Sequence, residues 1–237
     1  MQIASGWTQQ EIGRSRGGLP LEIYRPADAD TIDGLLIAGI HGEEPETLLL
    51  ARRLLERIDG ADTRWAILPC ANPDGVVHGV RQNAAGVDLN RNFPSTSWQP
   101  DHSFTYPPGT QVRKREHRTN RSSPGESPGS EPETKALIAV IEALNPALII
   151  DLHSPLELIA PTPAANREIV QHLATAAGLT VQPDIGSPTP GALRDWCSDR
   201  GIAAITYEVE HAPLPALCER HLPGLAMLLT PFRSASR

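Results

Sequence analysis

One stretch limits the possible folds of this chain more than any other: LLIAGIHGEEPETLLLARRLLERIDG, residues 35–60. It opens as an apolar β-strand and closes as an amphipathic helix, with apolar residues three and four apart. Pro45 marks the switch, because its fixed φ suits the first helical position. A strand is predicted over residues 34–40 and a helix over residues 45–58. Such joints belong to α/β sheets, where ligands gather beyond the carboxyl ends of strands. The joint reads His41-Gly42-Glu43-Glu44. An imidazole followed three residues later by a carboxylate can turn both groups toward one point and hold zinc. Read alone, the pair serves equally as a loop histidine and an acidic residue favouring a helix N-terminus.

The alternation continues along the chain. Further strands are predicted over residues 21–24, 65–70, 147–152, 180–182 and 203–209. Helices are predicted over 131–144, 167–177, about 191–200 and 213–229, and Asn72-Pro73-Asp74-Gly75 reads as a turn. The strands are near-continuous apolar runs, as in strands covered on both faces. The expected fold class is α/β, with a mixed, mostly parallel central sheet and helices on both faces. With 237 residues, 40% of them apolar, a single catalytic domain over 1–237 is expected. Residues 95–130 depart from the pattern, being rich in Pro, Ser, Gly and charge, and are expected to form a long loop. Their basic run RKREHRTNR, Arg113 to Arg121, is either a solvated stretch or a lid over an acidic ligand.

A second strand end carries the first one further. NPALIIDLHS, residues 145–154, ends in Asp151, Leu152 and His153, so His153 occupies the same kind of position as His41. Two histidines and one glutamate are the ligand set of a hydrolytic zinc site that keeps one position open for water. The other six histidines have no acidic partner at such spacing and read as surface residues.

The partners follow from charge and cysteine content. A net charge of -7 argues against nucleic acid. No apolar run is long enough to span a bilayer. Cys70, Cys197 and Cys218 show no motif spacing, which suits reduced thiols and a cytoplasmic location. A homodimer is compatible with all of this.

Several separated motifs then line up in order: HGEEP, NPDG, RQNAAGVDLNRNFP, GSEPET, DLHSP, TPGALRDWC and ITYEVE. Together they resemble the zinc carboxypeptidase A family, and GSEPET with TPGALRDWC resembles its bacterial branch of murein peptide amidases. The resemblance implies a zinc carboxypeptidase-like fold and one Zn2+ per chain, held by His41, Glu44 and His153. It implies that Asp88 bonds the first ligand histidine, and that Asn90 and Arg91 grip a terminal carboxylate of the substrate. Arg81 then polarises the scissile carbonyl and Glu208 is the general base. Glu208 ends the apolar strand AAITYEV, where burial raises a carboxyl pKa toward a useful range. Glu210, two residues on, is the competing base.

The implied reaction is hydrolysis of the γ-D-glutamyl–meso-diaminopimelate bond of murein tripeptide, a small anionic peptide, in cell-wall recycling. Two departures bear on it. The segment DIGSPTPG lacks the mobile tyrosine of digestive carboxypeptidases. Glu43 stands where those relatives carry an arginine, either to meet a substrate ammonium group or to face water. The alternatives are a general zinc carboxypeptidase, an acylase of acidic N-acyl amino acids, and a peptide-binding pseudoenzyme. The acylase would bring an additional β-rich module, which is not expected here, and the pseudoenzyme would lack a ligand or the base.

Overall fold

The structure is a computed structural model and describes residues 2–101 and 123–230. Its strands are β1 (Trp7–Arg14), β2 (Pro20–Pro26), β3 (Gly34–Ile37), β4 (Trp65–Leu68), β5 (Leu148–His153), β6 (Leu158–Pro161), β7 (Thr180–Val181) and β8 (Ala204–Glu208). Its helices are α1 (Pro45–Arg57), α2 (Pro73–His78), α3 (Pro132–Leu144), α4 (Arg167–Ala177), α5 (Leu193–Asp199) and α6 (Leu214–Leu229).

The strands form one sheet in the order β1-β2-β4-β3-β5-β8-β6-β7. The β4/β3, β3/β5, β5/β8 and β6/β7 pairings are parallel, and β1/β2, β2/β4 and β6/β8 are antiparallel. The sheet is therefore mixed and mostly parallel, as expected. Strands β3, β4, β5 and β8 are buried at every position. Their alternate residues go to opposite sides. Leu36, Ile150 and Tyr207 pack with the apolar sides of α1, α4 and α6, while Leu35, Ile149 and Ala204 pack with α3 and α5. Leu54 of α1 is wholly buried in the first of these layers, and its truncation to alanine is expected to cost about 2–5 kcal/mol.

This order matters for the site. Strands β3, β5 and β8 are parallel neighbours, so their carboxyl ends share one rim of the sheet. The register pairs His153 with Glu208.

The sequence expectations hold for most elements and fail at four places. β1 is absent from the prediction because most of its WTQQEIGR residues are exposed and polar, leaving no apolar run. β6 is only four residues long. The turn at 72–75 is instead the start of α2: Asn72 caps it through its side chain and Pro73 opens it. β3 ends at Ile37. His41 therefore follows three bridging residues rather than the strand itself. The long loop is described only at its two ends, and Arg113 to Arg121 lies outside the described residues. No helix among the described residues is long and apolar enough to cross a membrane.

Candidate metal centre and catalytic cleft

Two glycines decide where the site residues stand. Gly42 lies so close to the backbone of Gly75 that a Cβ would overlap it, which locks the HGEE joint against α2. Gly191 has φ +78, and a Cβ there would collide with the Arg91 carbonyl. That contact seats the start of α5 against the DLNRN segment.

On this frame His41, Glu44 and His153 offer one ligand atom each, all within 4.8 Å of one another and all buried. His41 Nδ1 is 2.7 Å from Glu44 Oε1, and His153 Nδ1 is 3.1 Å from Glu44 Oε2. The opposite ring nitrogens have carboxylate partners. His41 Nε2 donates to Asp88 Oδ1 at 3.1 Å, and His153 Nε2 donates to Asp151 Oδ2 at 2.8 Å. A proton fixed on each Nε2 leaves each Nδ1 with its lone pair turned toward Glu44. Lone pairs facing a carboxylate require positive charge between them, either a proton or a metal ion. Two imidazole nitrogens and one carboxylate fit a divalent ion that keeps an open position.

Electrostatics point the same way. Burial alone would raise the carboxyl pKa of Glu44, but His41 and His153 hold it well below the usual range. Burial would also raise Asp88, which Arg81 and His41 hold down. Burial would lower the pKa of His153, yet Asp151 and Glu44 hold it well above the ordinary value. Four buried carboxylates, Glu44, Asp88, Asp151 and Glu208, crowd two imidazoles and two guanidinium groups.

Glu208 lines the same cleft as the three donors. Burial, aided by the charge of Glu44, pushes its carboxyl up to about 7, and its Oε2 accepts from Leu156 N–H at 3.3 Å. Glu210, the competing base, does not share the cleft. β8 ends at Glu208, so the two-residue period stops there. Glu210 turns back to His221 Nε2 at 2.8 Å and Arg220 at 3.0 Å. His221 is itself fully buried and bonded to the Tyr207 hydroxyl at 2.9 Å, so the reading of the remaining histidines as surface groups fails there.

Arg81 borders the cleft. Its Nε donates to Asp88 Oδ2 at 2.7 Å, and Nη1 lies 3.6 Å from Glu44 and 3.9 Å from Glu43. Glu43 thus neighbours Arg81. Arg91 also lines the cleft and is buried. The Asn90 side-chain oxygen accepts from Leu193 N–H at 2.8 Å, and its amide nitrogen lies 3.2 Å from His153 Nε2. Arg194 borders both this cleft and a wider outer cleft of about 620 Å³. Its Nη1 donates to the Pro183 carbonyl at 2.7 Å.

Two residues that touch the donor set carry no assignment from the sequence: Asp151, behind His153, and Ser154, beside Glu44. Asp151 is two residues before His153 on β5, hence on the same face, and that period was the available signal. Ser154 donates its backbone N–H to Glu44 Oε2 at 3.3 Å, a contact made by backbone that no residue type announces.

A two-histidine, one-glutamate cluster with a buried carboxylate beside it, on the rim of an α/β sheet, defines a metallohydrolase. The chain belongs to the zinc carboxypeptidase family, whose model matches residues 7–216. It is 35% identical to murein peptide amidase A of Escherichia coli K12 over 222 residues, covering 93% of this chain and 88% of that protein. The counterpart from Vibrio campbellii is 30% identical and covers 94% and 87%. Among solved structures, murein-tripeptide amidase MpaA from Escherichia coli O157 superposes with a TM-score of 0.85 at 33% identity, covering 98% of this chain and 95% of that one.

Proposed function

We propose that this chain hydrolyses the γ-D-glutamyl–meso-diaminopimelate bond of murein tripeptide, with His41, Glu44 and His153 holding one zinc ion. The observation that carries the reading is the convergence of those three donors beside a carboxyl group whose pKa is raised to about 7. The names of the relatives, aligned over nearly the whole chain, support the substrate.

Zinc would supply Lewis acidity to the attacking water and to the scissile carbonyl. Glu208 takes a proton from that water and returns it to the leaving nitrogen, a role suited to a carboxyl with a pKa near neutrality. Asp88 and Asp151 keep the imidazoles in one tautomer. Arg91 pairs with a substrate carboxylate, for which a guanidinium fork is matched. Arg81, already anchored on Asp88, turns a donor toward the developing oxyanion. Asn90, beside Arg91 in the cleft, holds the start of α5 through Leu193 N–H. Arg194, at the mouth shared by the two clefts, takes the second carboxylate of the diaminopimelate. We assign the activity to cytoplasmic recycling of cell-wall peptides, a reducing setting that suits three free thiols.

The test is incubation of zinc-loaded protein with L-Ala-γ-D-Glu-meso-diaminopimelate, reading free diaminopimelate by mass spectrometry. Release that stops with chelator and returns with zinc is expected. An intact tripeptide beside cleavage of an ordinary carboxypeptidase substrate would overturn the assignment.

A further inference from the structure

The DLNRN segment, which carries Asp88, Asn90 and Arg91, has no regular strand or helix of its own beyond a single 3-10 turn, Leu89–Arg91. Its precision must come from what grips it. Two asparagines do so, one at each end, and both hold the same GSEPET segment.

At the leading end, Asn83 Oδ1 accepts from the N–H groups of Ala85 at 3.0 Å and Val87 at 3.1 Å, which shapes the turn running into Asp88. The amide nitrogen of the same side chain donates to Glu131 Oε2 at 2.8 Å and to Glu133 Oε2 at 3.2 Å. At the trailing end, Asn92 Oδ1 accepts from Glu131 N–H at 3.1 Å, and its amide nitrogen donates to Ser130 Oγ at 3.0 Å and to the Pro124 carbonyl at 2.8 Å.

Asn83, Asn92, Glu131 and Glu133 are all at least nine-tenths buried. Glu133 Oε1 is occupied by Arg16 N–H at 2.7 Å, and Glu131 Oε1 by Ser130 Oγ at 2.8 Å. Two buried carboxylates therefore meet at one neutral amide. An uncompensated buried carboxylate is costly, so a packing role alone would be served better by apolar residues. Burial pushes the Glu133 carboxyl up.

We propose that Asn83 is a positioning residue for the cleft: its single amide fastens the turn before Asp88 to the Glu131–Glu133 pair, and so sets where Asp88 meets His41 and where Arg91 meets substrate. The substrate half of this inference rests on the function proposed above; the metal half does not.

Asn83→Asp keeps an acceptor for Ala85 and Val87 but sets a third carboxylate against Glu131 and Glu133. Asp88 should then shift from His41. We expect zinc affinity, read by chelator competition, to weaken by about tenfold, as for loss of a partner behind a metal ligand. KM for the tripeptide should rise with it. Adding Glu131→Gln restores a donor opposite the new carboxylate and should recover most of both losses. Asn83→Ser, too short to reach both glutamates, should reproduce the defect if Asn83→Asp does not fold. Leu173→Ala, in the core layer on the far side of the sheet, supplies a control that lowers Tm without touching the turn. If zinc affinity and KM of the Asn83 variants match that control, or if Glu131→Gln rescues nothing, the proposal is overturned. If the wild type leaves tripeptide intact, the functional reading fails while the zinc measurement still decides this one.

Discussion

His153 Nδ1 stands 3.1 Å from Glu44 Oε2 across 109 residues of sequence. One carboxylate thus faces both imidazoles, and its charge serves both. Glu44→Gln keeps the shape and removes the charge. Zinc affinity is expected to fall by about 100-fold or more, beyond the loss from an outer partner, with circular dichroism unchanged. Wild-type affinity measured by chelator competition would exclude Glu44 as a ligand.

Glu208 and Glu210 separate cleanly. Glu208→Gln should lower kcat by about 10²–10⁴-fold while the protein still binds one zinc and KM changes little. Glu210→Gln should leave kcat alone and lower Tm slightly, because Glu210 holds His221 and Arg220. The reverse pattern in steady-state kinetics would exchange the two roles.

The pH dependence has a definite sign. Burial raises the Glu208 carboxyl from 4.5 to about 7. A carboxyl with a higher pKa folded than unfolded stabilises the fold while protonated. That contribution is full below about 4.5 and is lost as pH rises through about 7. Denaturant melts of metal-free wild type minus Glu208→Gln should therefore show wild type losing ground across that window. A divalent ion beside Glu208 favours its carboxylate, so the acid limb of kcat/KM for the zinc enzyme is expected below pH 7. An acid limb above the metal-free titration would contradict the assignment of the base.

Arg194 predicts selectivity. Arg194→Ala should weaken binding of a leaving residue with a second carboxylate by about 10–100-fold, the range of a hydrogen bond to a charged group. A substrate whose leaving residue ends in an amide should be affected far less. Equal losses on both substrates, compared as kcat/KM, would remove Arg194 from the recognition of that carboxylate.

The proposed metal donors are legible because strand ends announce themselves: apolar runs stop close to His41 and His153. Glu208 was legible as a lone acid closing an apolar strand. Glu210 stands as a competitor to Glu208 in the sequence because a period of two assumes that the strand continues, and β8 does not. Asp151 obeyed that same period with His153, but its link to the ring depends on side-chain direction, which spacing alone leaves open. The β1 hairpin strand was invisible because its polar, exposed residues form strand by pairing with β2, a tertiary cause. The contacts from Ser154 and Leu156 come from backbone N–H groups, and no residue type encodes them.

β8 lies between β5 and β6 although it is made after both. Until β8 is made, β5 and β6 have no strand between them to pair with. Only the late insertion of β8 joins the two parts and delivers Glu208 to the rim. A chain that stops short of β8 therefore lacks both the strand that bridges β5 to β6 and the carboxyl of Glu208.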